Sequence, residues 1–121
     1  MNQKYPRHEK LKQKKEISLL FERGKWRVFG NLKLISCKAT EEIPIKNQRF
    51  GVSVSKRNFK KAVDRNRIKR LLRTCYRLNK ELFIEKFGEQ SITMVFWANS
   101  TMPTNYQEVE KDFVQLCQSK K

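Results

Sequence analysis

The chain has 121 residues, with 28 Lys or Arg against 12 Asp or Glu, which gives a formal net charge of +16. That length suits one domain spanning 1–121, and the excess of positive charge predicts a polyanionic partner. No apolar run approaches the roughly 20 residues of a membrane helix, and the N-terminus lacks the apolar stretch of a secretory signal. We therefore expect a cytoplasmic protein with no membrane partner. Three widely spaced cysteines, Cys37, Cys75 and Cys117, predict reduced thiols and no disulfide framework or zinc site.

The first third of the chain predicts a helix followed by a hairpin. Residues from 1 to about 7 are interpreted as a loose basic arm. Residues 8–23 carry apolar side chains at helical spacing, up to a glycine that ends the helix. Residues 26–38 alternate in the manner of extended chain, and Gly30-Asn31 predicts a tight turn within them.

The remainder predicts a strand, the longest helix, a buried strand and a last helix. Residues 50–55 alternate so that small side chains leave one face of the strand open. A helix is expected over 61–82, with Asn58 as its N-cap. Residues 91–97 are almost continuously apolar, as in a central strand, and 106–117 form an amphipathic helix. The order α-β-β-β-α-β-α predicts an α/β fold, an α+β sandwich with helices packed on one small mixed sheet.

Half of the net charge is concentrated in residues 55–73, which hold nine basic residues and one acid, a net +8 of the +16. On a helical wheel the apolar positions share one side: Ile68, Leu71, Leu72, Cys75, Leu78 and Leu82. The opposite side forms a basic ridge: Arg65, Asn66, Lys69, Arg70, Arg73 and Arg77. An ordinary solvated face is the alternative, but such a face usually pairs acids with bases at i, i+4 spacing. The near absence of acids predicts that the ridge binds nucleic-acid phosphates.

The segment AVDRNRIKRLLR, residues 62–73, resembles the Arg-Asn-Arg signature of the bacterial ribonuclease P protein subunit. It follows a VSVSK strand, as in that family, and KLKQKKEISLLFERGK upstream is similar to the family's first helix. The resemblance implies a protein that binds a catalytic RNA and the 5′ leader of precursor tRNA, and assists magnesium-dependent removal of that leader. The RNA would carry the chemistry and hold most of the Mg²⁺, so the protein would have no catalytic residues and no metal site. A left-handed β-α-β crossover is implied as well, against the usual right-handed rule.

Matched position by position, the resemblance implies two groups of contact residues. The residues implied to bind the catalytic RNA are Ser55, Lys56, Arg57, Lys60, Lys61, Arg65, Asn66, Arg67, Lys69, Arg70 and Arg73. The residues implied to line the leader cleft are Phe21, Lys33, Ile35 and Ser53. For Phe21 a core contact is the alternative, since aromatic side chains on an amphipathic helix are usually buried. The chain departs from the family pattern at Phe59, in a turn that usually holds a glycine, at Ile17, where a second cleft aromatic is common, and at Trp97, where an arginine is common.

Two other functions share some of these features. A general basic RNA-binding protein, such as a ribosomal protein or RNA chaperone, would have the same charge and size, and only the signature in its strand–helix context separates the two. An independent protein nuclease is disfavoured, because the single histidine, His8, lies where the basic arm meets the predicted first helix, and no set of carboxylates is predicted to converge. We therefore expect an endoribonuclease subunit whose partners are the ribonuclease P catalytic RNA and precursor tRNA, with no obligate protein partner.

Overall fold

A computed structural model describes residues 14–39, 48–88 and 90–118, and within these ranges it contains four helices and four strands. They are α1 (Lys14–Arg23), β1 (Lys25–Phe29), β2 (Leu32–Lys38), β3 (Arg49–Val54), α2 (Ala62–Leu78), α3 (Lys80–Phe87), β4 (Ser91–Trp97) and α4 (Tyr106–Gln118). The predicted order is confirmed, with the long helix divided into α2 and α3. The predicted basic arm and the first part of the predicted first helix lie outside the described residues. Within the described ranges, no helix has the length and apolar character that crossing a membrane requires.

The strands form one mixed sheet in the order β1-β2-β4-β3. β1, β2 and β4 are successive antiparallel neighbours, whereas β3 runs parallel to β4 at the far edge. β4 is therefore a central strand, as its continuous apolar sequence predicts. Because parallel neighbours cannot be joined by a hairpin, the chain crosses from β3 to β4 through α2 and α3. The left-handed sense of this crossover stays a prediction.

Two apolar clusters lie on opposite faces of the sheet, because successive side chains of a strand alternate between its faces. The larger cluster lies between the sheet and α2, α3 and α4. At its centre the Phe50 ring stacks on Tyr76, with centroids 4.1 Å apart, and meets Phe83 edge-on at 5.6 Å. The smaller cluster lies under α1, where Leu20 and Ile35 are fully buried. α1 contacts β2 and β4, so part of this face of the sheet stays open.

The predicted long helix is interrupted at Asn79. α2 ends at Leu78, and the Asn79 backbone leaves the helical region with a φ of −117°. The Asn79 side-chain Nδ2 donates to the carbonyl oxygen of Cys75 at 2.9 Å and to Glu110 Oε2 on α4 at 3.1 Å. The prediction that Leu78 is buried is wrong, since its side chain is 44% exposed. The buried face instead includes Tyr76, which is fully buried.

The three cysteines are buried and unpaired, as their spacing predicts. Burial is the largest cause that raises the pKa of Cys75 and of Cys117 to about 12. Burial also raises the pKa of Cys37, and the nearby Arg23 opposes that change. The thiols are therefore protonated at neutral pH, and they serve as small apolar core residues.

The hairpin turn between β1 and β2 is tied to the last helix. Phe29 pairs with Leu32, so the turn has two residues, and only Gly30 takes a positive φ, +57°. That pattern is typical of a type II′ turn and confirms the predicted position. The Asn31 backbone N–H donates to Asp112 Oδ2 of α4 at 3.1 Å. The turn therefore closes the hairpin and fixes its distance from α4.

Gly30→Ala is expected to lower the free energy of unfolding by about 2–4 kcal/mol, since an L side chain at this φ and an overpacked contact both cost free energy. A Cβ at this position would lie 2.5 Å from the carboxylate of Asp112. Gly88→Ala is the matched control, because Gly88 also has a positive φ, +90°, but its added Cβ would meet nothing within 4 Å. Urea unfolding of both variants measures the difference. Equal losses would show that the approach to Asp112 does not matter.

Candidate nucleic-acid interface

A row of four side chains crosses the sheet on the face that carries α1. Val28 pairs with Lys33, Lys33 with Phe96, and Phe96 with Ser53, so one residue comes from each strand. Directly paired residues point to the same face of a sheet. Val28 is 62% exposed, and Lys33 is exposed as well. We call these four residues the open row.

Three aromatic rings meet at the open row, and one of them, Phe96, belongs to it. The centroid of Phe21, on α1, lies 6.0 Å from that of Trp26 and 6.1 Å from that of Phe96, and Trp26 lies 5.5 Å from Phe96. The Lys33 Nζ lies 5.7 Å from the centroid of Trp26. Phe21 is 48% exposed and Trp26 is 50% exposed. The aromatic cluster, Phe21, Trp26 and Phe96, therefore presents ring surface to solvent, and the positive charge of Lys33 lies beside it.

The basic ridge of α2 contains a pocket of about 400 Å³. It is lined by Asn66, Arg70, Arg73, Thr74 and Arg77. The three arginines are exposed, and the single acid of the helix, Asp64, lies in its first turn. Guanidinium groups bind phosphate oxygens in pairs, so three of them around one pocket suit a phosphate backbone. The amide of Asn66 adds a donor and an acceptor that can reach a base or a ribose hydroxyl.

The segment that precedes α2 is held by one apolar anchor and one arginine. Phe59 is buried in the larger cluster, which accounts for an aromatic residue in a turn without glycine. Arg65 Nη1 donates to the carbonyl oxygens of Phe59 at 2.8 Å and of Lys60 at 2.9 Å. The prediction that Asn58 is the N-cap is wrong, since the N-cap is Lys61 and makes no side-chain cap bond. Because Phe59 has to reach the core, the helix begins only after it.

Comparisons with known proteins agree with this architecture. The family model described as Ribonuclease P matches residues 5–121. The chain belongs to the ribonuclease P protein family. The ribonuclease P protein component of Clostridium botulinum (strain Loch Maree / Type A3) is 36% identical over 111 residues, which cover 91% of this chain and 92% of that protein. That of Porphyromonas gingivalis (strain ATCC 33277) is 35% identical over 105 residues, 85% of this chain and 76% of that protein.

Solved structures of family members share the fold. The ribonuclease P protein from Thermotoga maritima superposes with a TM-score of 0.74 at 19% identity, and the match covers 93% of this chain and 99% of that chain. The Staphylococcus aureus protein gives a TM-score of 0.73 at 19% identity, with 91% and 93% covered. The α+β architecture with one small mixed sheet is therefore that of the family.

Most residues that the family resemblance marks for RNA binding are at the surface. Those exposed are Ser55, Lys56, Arg57, Lys60, Lys61, Asn66, Arg67, Arg70 and Arg73. Arg65 and Lys69 are partly buried. The guanidinium of Arg65 donates hydrogen bonds to the carbonyl oxygens of Phe59 and Lys60, just before α2. β3 ends at Val54, opposite Trp97. The basic segment between β3 and α2, residues 55–61, therefore leaves the sheet at the end where the open row lies.

The four residues marked for a leader cleft divide into two groups. Phe21, Lys33 and Ser53 lie on or beside the open row. Ile35 is fully buried in the cluster under α1, so its side chain supports the helix and does not face solvent.

Two surface residues were missed from the sequence, Trp26 and Phe96. A two-residue turn at Gly30-Asn31 fixes the hairpin register and sets Trp26 opposite Ile35, so the sequence contained the signal for Trp26. Phe96 depends on the register between β2 and β4, which local sequence does not specify.

Several carboxylates in the described ranges make structural contacts, and no group of three His, Cys, Asp or Glu there is placed to hold a metal ion. Glu16 on α1 pairs with Arg49 on β3 at 3.4 Å. Glu110 Oε2 accepts the hydroxyl of Tyr106 at 2.7 Å. Burial, and then this hydrogen bond, raise the pKa of the Tyr106 hydroxyl. These carboxylates stabilise contacts between elements.

Proposed function

We propose that the chain is the protein subunit of a ribonuclease P that acts in the cytoplasm on precursor tRNA. The ridge of α2 and the basic segment before it bind the catalytic RNA. The open row and Phe21 bind the single-stranded 5′ leader. The observation that carries this proposal is the convergence of Arg70, Arg73 and Arg77 on one pocket without an acid in its lining, in a chain of this family.

In this proposal the protein contributes binding and the RNA contributes the reaction. Catalytic RNA and substrate are both polyanions, so bringing them together costs electrostatic free energy that a net charge of +16 offsets. Magnesium ions, held mainly by RNA phosphates, supply the activated water for hydrolysis of the phosphodiester bond. The protein assists by lowering the magnesium concentration needed for assembly and by orienting the leader beside the cleavage point.

The open row supports leader binding because of its chemistry and its size. The Ser53 side chain is small, so a strand of RNA can approach the sheet closely. Lys33 can pair with a phosphate, and a base can stack on the exposed ring of Phe21. Such contacts bind unpaired nucleotides with little regard to sequence, which suits leaders that differ from one precursor tRNA to the next.

A binding assay with four RNAs tests this function. We expect the protein to bind a bacterial ribonuclease P RNA more tightly than a ribosomal RNA fragment of equal length. The resulting complex should bind precursor tRNA more tightly than mature tRNA. Affinity for the catalytic RNA should fall steeply with salt, by about 1,000-fold or more between about 50 and 200 mM if six or more phosphates are contacted. Equal affinity for both large RNAs, together with no preference for the leader, would instead favour a general RNA-binding protein.

A further inference from the structure

Trp26 has an exposure that the stability of the fold does not explain. Half of its surface faces solvent on the edge strand β1, although tryptophan is a large and mostly apolar side chain whose burial stabilises a protein. The second tryptophan behaves in the ordinary way: Trp97 is buried, and its Nε1 donates to the carbonyl oxygen of Thr101 at 2.9 Å. The exposed position of Trp26 therefore indicates that its ring binds a ligand.

The neighbours of Trp26 hold its ring in place. Phe96 lies 5.5 Å away with the two ring planes tilted by 36°, and Phe21 lies 6.0 Å away. Offset and tilted aromatic pairs are attractive beyond the area they bury. The ring is thus supported before any ligand arrives, so little conformational freedom would be lost on binding.

The charge around Trp26 indicates which class of ligand its exposed ring binds. Lys33 Nζ lies 5.7 Å from the ring centroid, and Lys33 is exposed on the same face of the sheet as Trp26. A second copy of the chain would bring another +16 to this surface, which opposes association. A nucleotide satisfies both features at once, because its base stacks on the ring while its phosphate meets the ammonium group.

We propose that Trp26, supported by Phe96, is a stacking site for an unpaired base of the RNA leader, one nucleotide beyond the base at Phe21. The proposal rests on the function proposed above, and it extends the leader path from α1 across the sheet to β1. Lys33 lies beside this ring and serves the phosphate between the two bases. The site accepts any base, since every base has a stacking face.

Tryptophan fluorescence reports on this site directly, because only Trp26 of the two tryptophans is exposed. A single-stranded RNA oligonucleotide with a leader sequence should quench the emission of the full-length protein. In Trp26→Phe the remaining emission comes from the buried Trp97 and should not respond. A response of equal size in Trp26→Phe would overturn the proposal.

Leader length gives the second readout, with the protein assembled on a bacterial ribonuclease P RNA. In a series of precursor tRNAs, each with a leader one nucleotide longer than the last, the affinity for the complex should rise in steps. Trp26→Ala should remove one step, a loss of about 5- to 150-fold for the longer leaders, and leave mature tRNA binding unchanged. Trp26→Phe should keep most of that step. Phe29→Ala is the matched control, because Phe29 is also a partly exposed aromatic residue of β1, but it pairs with Leu32 of the larger cluster and so lies on the opposite face of the sheet.

The outcomes separate this inference from the proposed function. If the wild-type complex prefers leader-bearing tRNA and Trp26→Ala keeps every step, the stacking site is wrong while the subunit role stands. If the wild-type complex shows no preference for a leader, the stacking site and the leader contacts of the proposed function are both wrong. A wild-type dimer in sedimentation that Trp26→Ala converts to monomer would assign the ring to a second copy and overturn the proposal.

Discussion

Replacing Arg70 with alanine is expected to weaken binding to the catalytic RNA by about 10- to 150-fold, because a hydrogen bond to a charged group contributes about 1.5–3 kcal/mol. Arg70 is exposed and lines the pocket on the ridge of α2 with Arg73 and Arg77. The free energy of unfolding should stay within about 0.5 kcal/mol of the wild-type value, as for most surface substitutions. Filter binding measures the affinity, and urea unfolding measures the stability.

Two other variants give this experiment its controls. Lys111→Ala removes the same charge from an exposed site on α4 and should change the affinity little, since distant surface charges are screened by salt. Arg65→Ala should lower both affinity and stability, because Arg65 Nη1 bonds the carbonyl oxygens of Phe59 and Lys60. If Lys111→Ala weakened RNA binding as much as Arg70→Ala, net charge alone would explain the affinity and the ridge would have no special role.

Replacing Phe21 with alanine is expected to weaken binding of leader-bearing precursor tRNA by about 5- to 150-fold, the usual range for one base stacked on an aromatic side chain. Affinity for mature tRNA should not change, because the contact proposed for this ring is with the leader alone. About half of the Phe21 side chain is exposed, so the protein should remain folded. Competition binding to the reconstituted complex, with precursor and mature tRNA in parallel, measures the effect.

Ser18→Ala is the control for Phe21, since Ser18 is exposed on the same helix and carries no ring. Its affinities for both tRNAs should equal those of the wild type. A loss for mature tRNA as large as the loss for precursor tRNA would mean that Phe21 acts through the packing of α1 on the sheet. The core contact considered from the sequence would then be its main role.

The periodic parts of the fold could be predicted because their side chains follow one rule over many residues. Alternation in β2 sets Leu34 and Ile35 on opposite faces, and the structure has them in different clusters. The wheel of α2 separates Leu72 from Arg73 in the same way. The limits of the helices could not be predicted, because they depend on contacts from elsewhere in the chain. Asn79 divides α2 from α3 while bonding Glu110 of α4, and Phe59 delays the start of α2 by reaching the core.

The charged part of the candidate site, on α2, could be predicted from the sequence. The part on the sheet was less predictable, because it depends on the register between strands. A run of arginines on one side of a helix is visible in the sequence, and Arg70 and Arg73 are exposed together. The partners of Phe21 on the sheet were not visible, since Phe96 is set opposite Lys33 by a strand pairing distant in sequence. Ile35 lies on the expected face of β2, but it is fully buried because α1 packs over it through Leu20. The sequence identifies which side chains are chemically suited to RNA, and the tertiary fold decides which of them are exposed.

The measurement that tests the subunit role most directly is cleavage of a precursor tRNA by a bacterial ribonuclease P RNA at low magnesium, with and without this protein. We predict that the protein restores cleavage at magnesium concentrations at which the RNA alone is nearly inactive, and that protein freed of bound RNA by nuclease digestion cleaves nothing. Tight binding to the RNA without any stimulation would contradict the subunit role. Cleavage by the protein alone would contradict the assignment of the chemistry to the RNA.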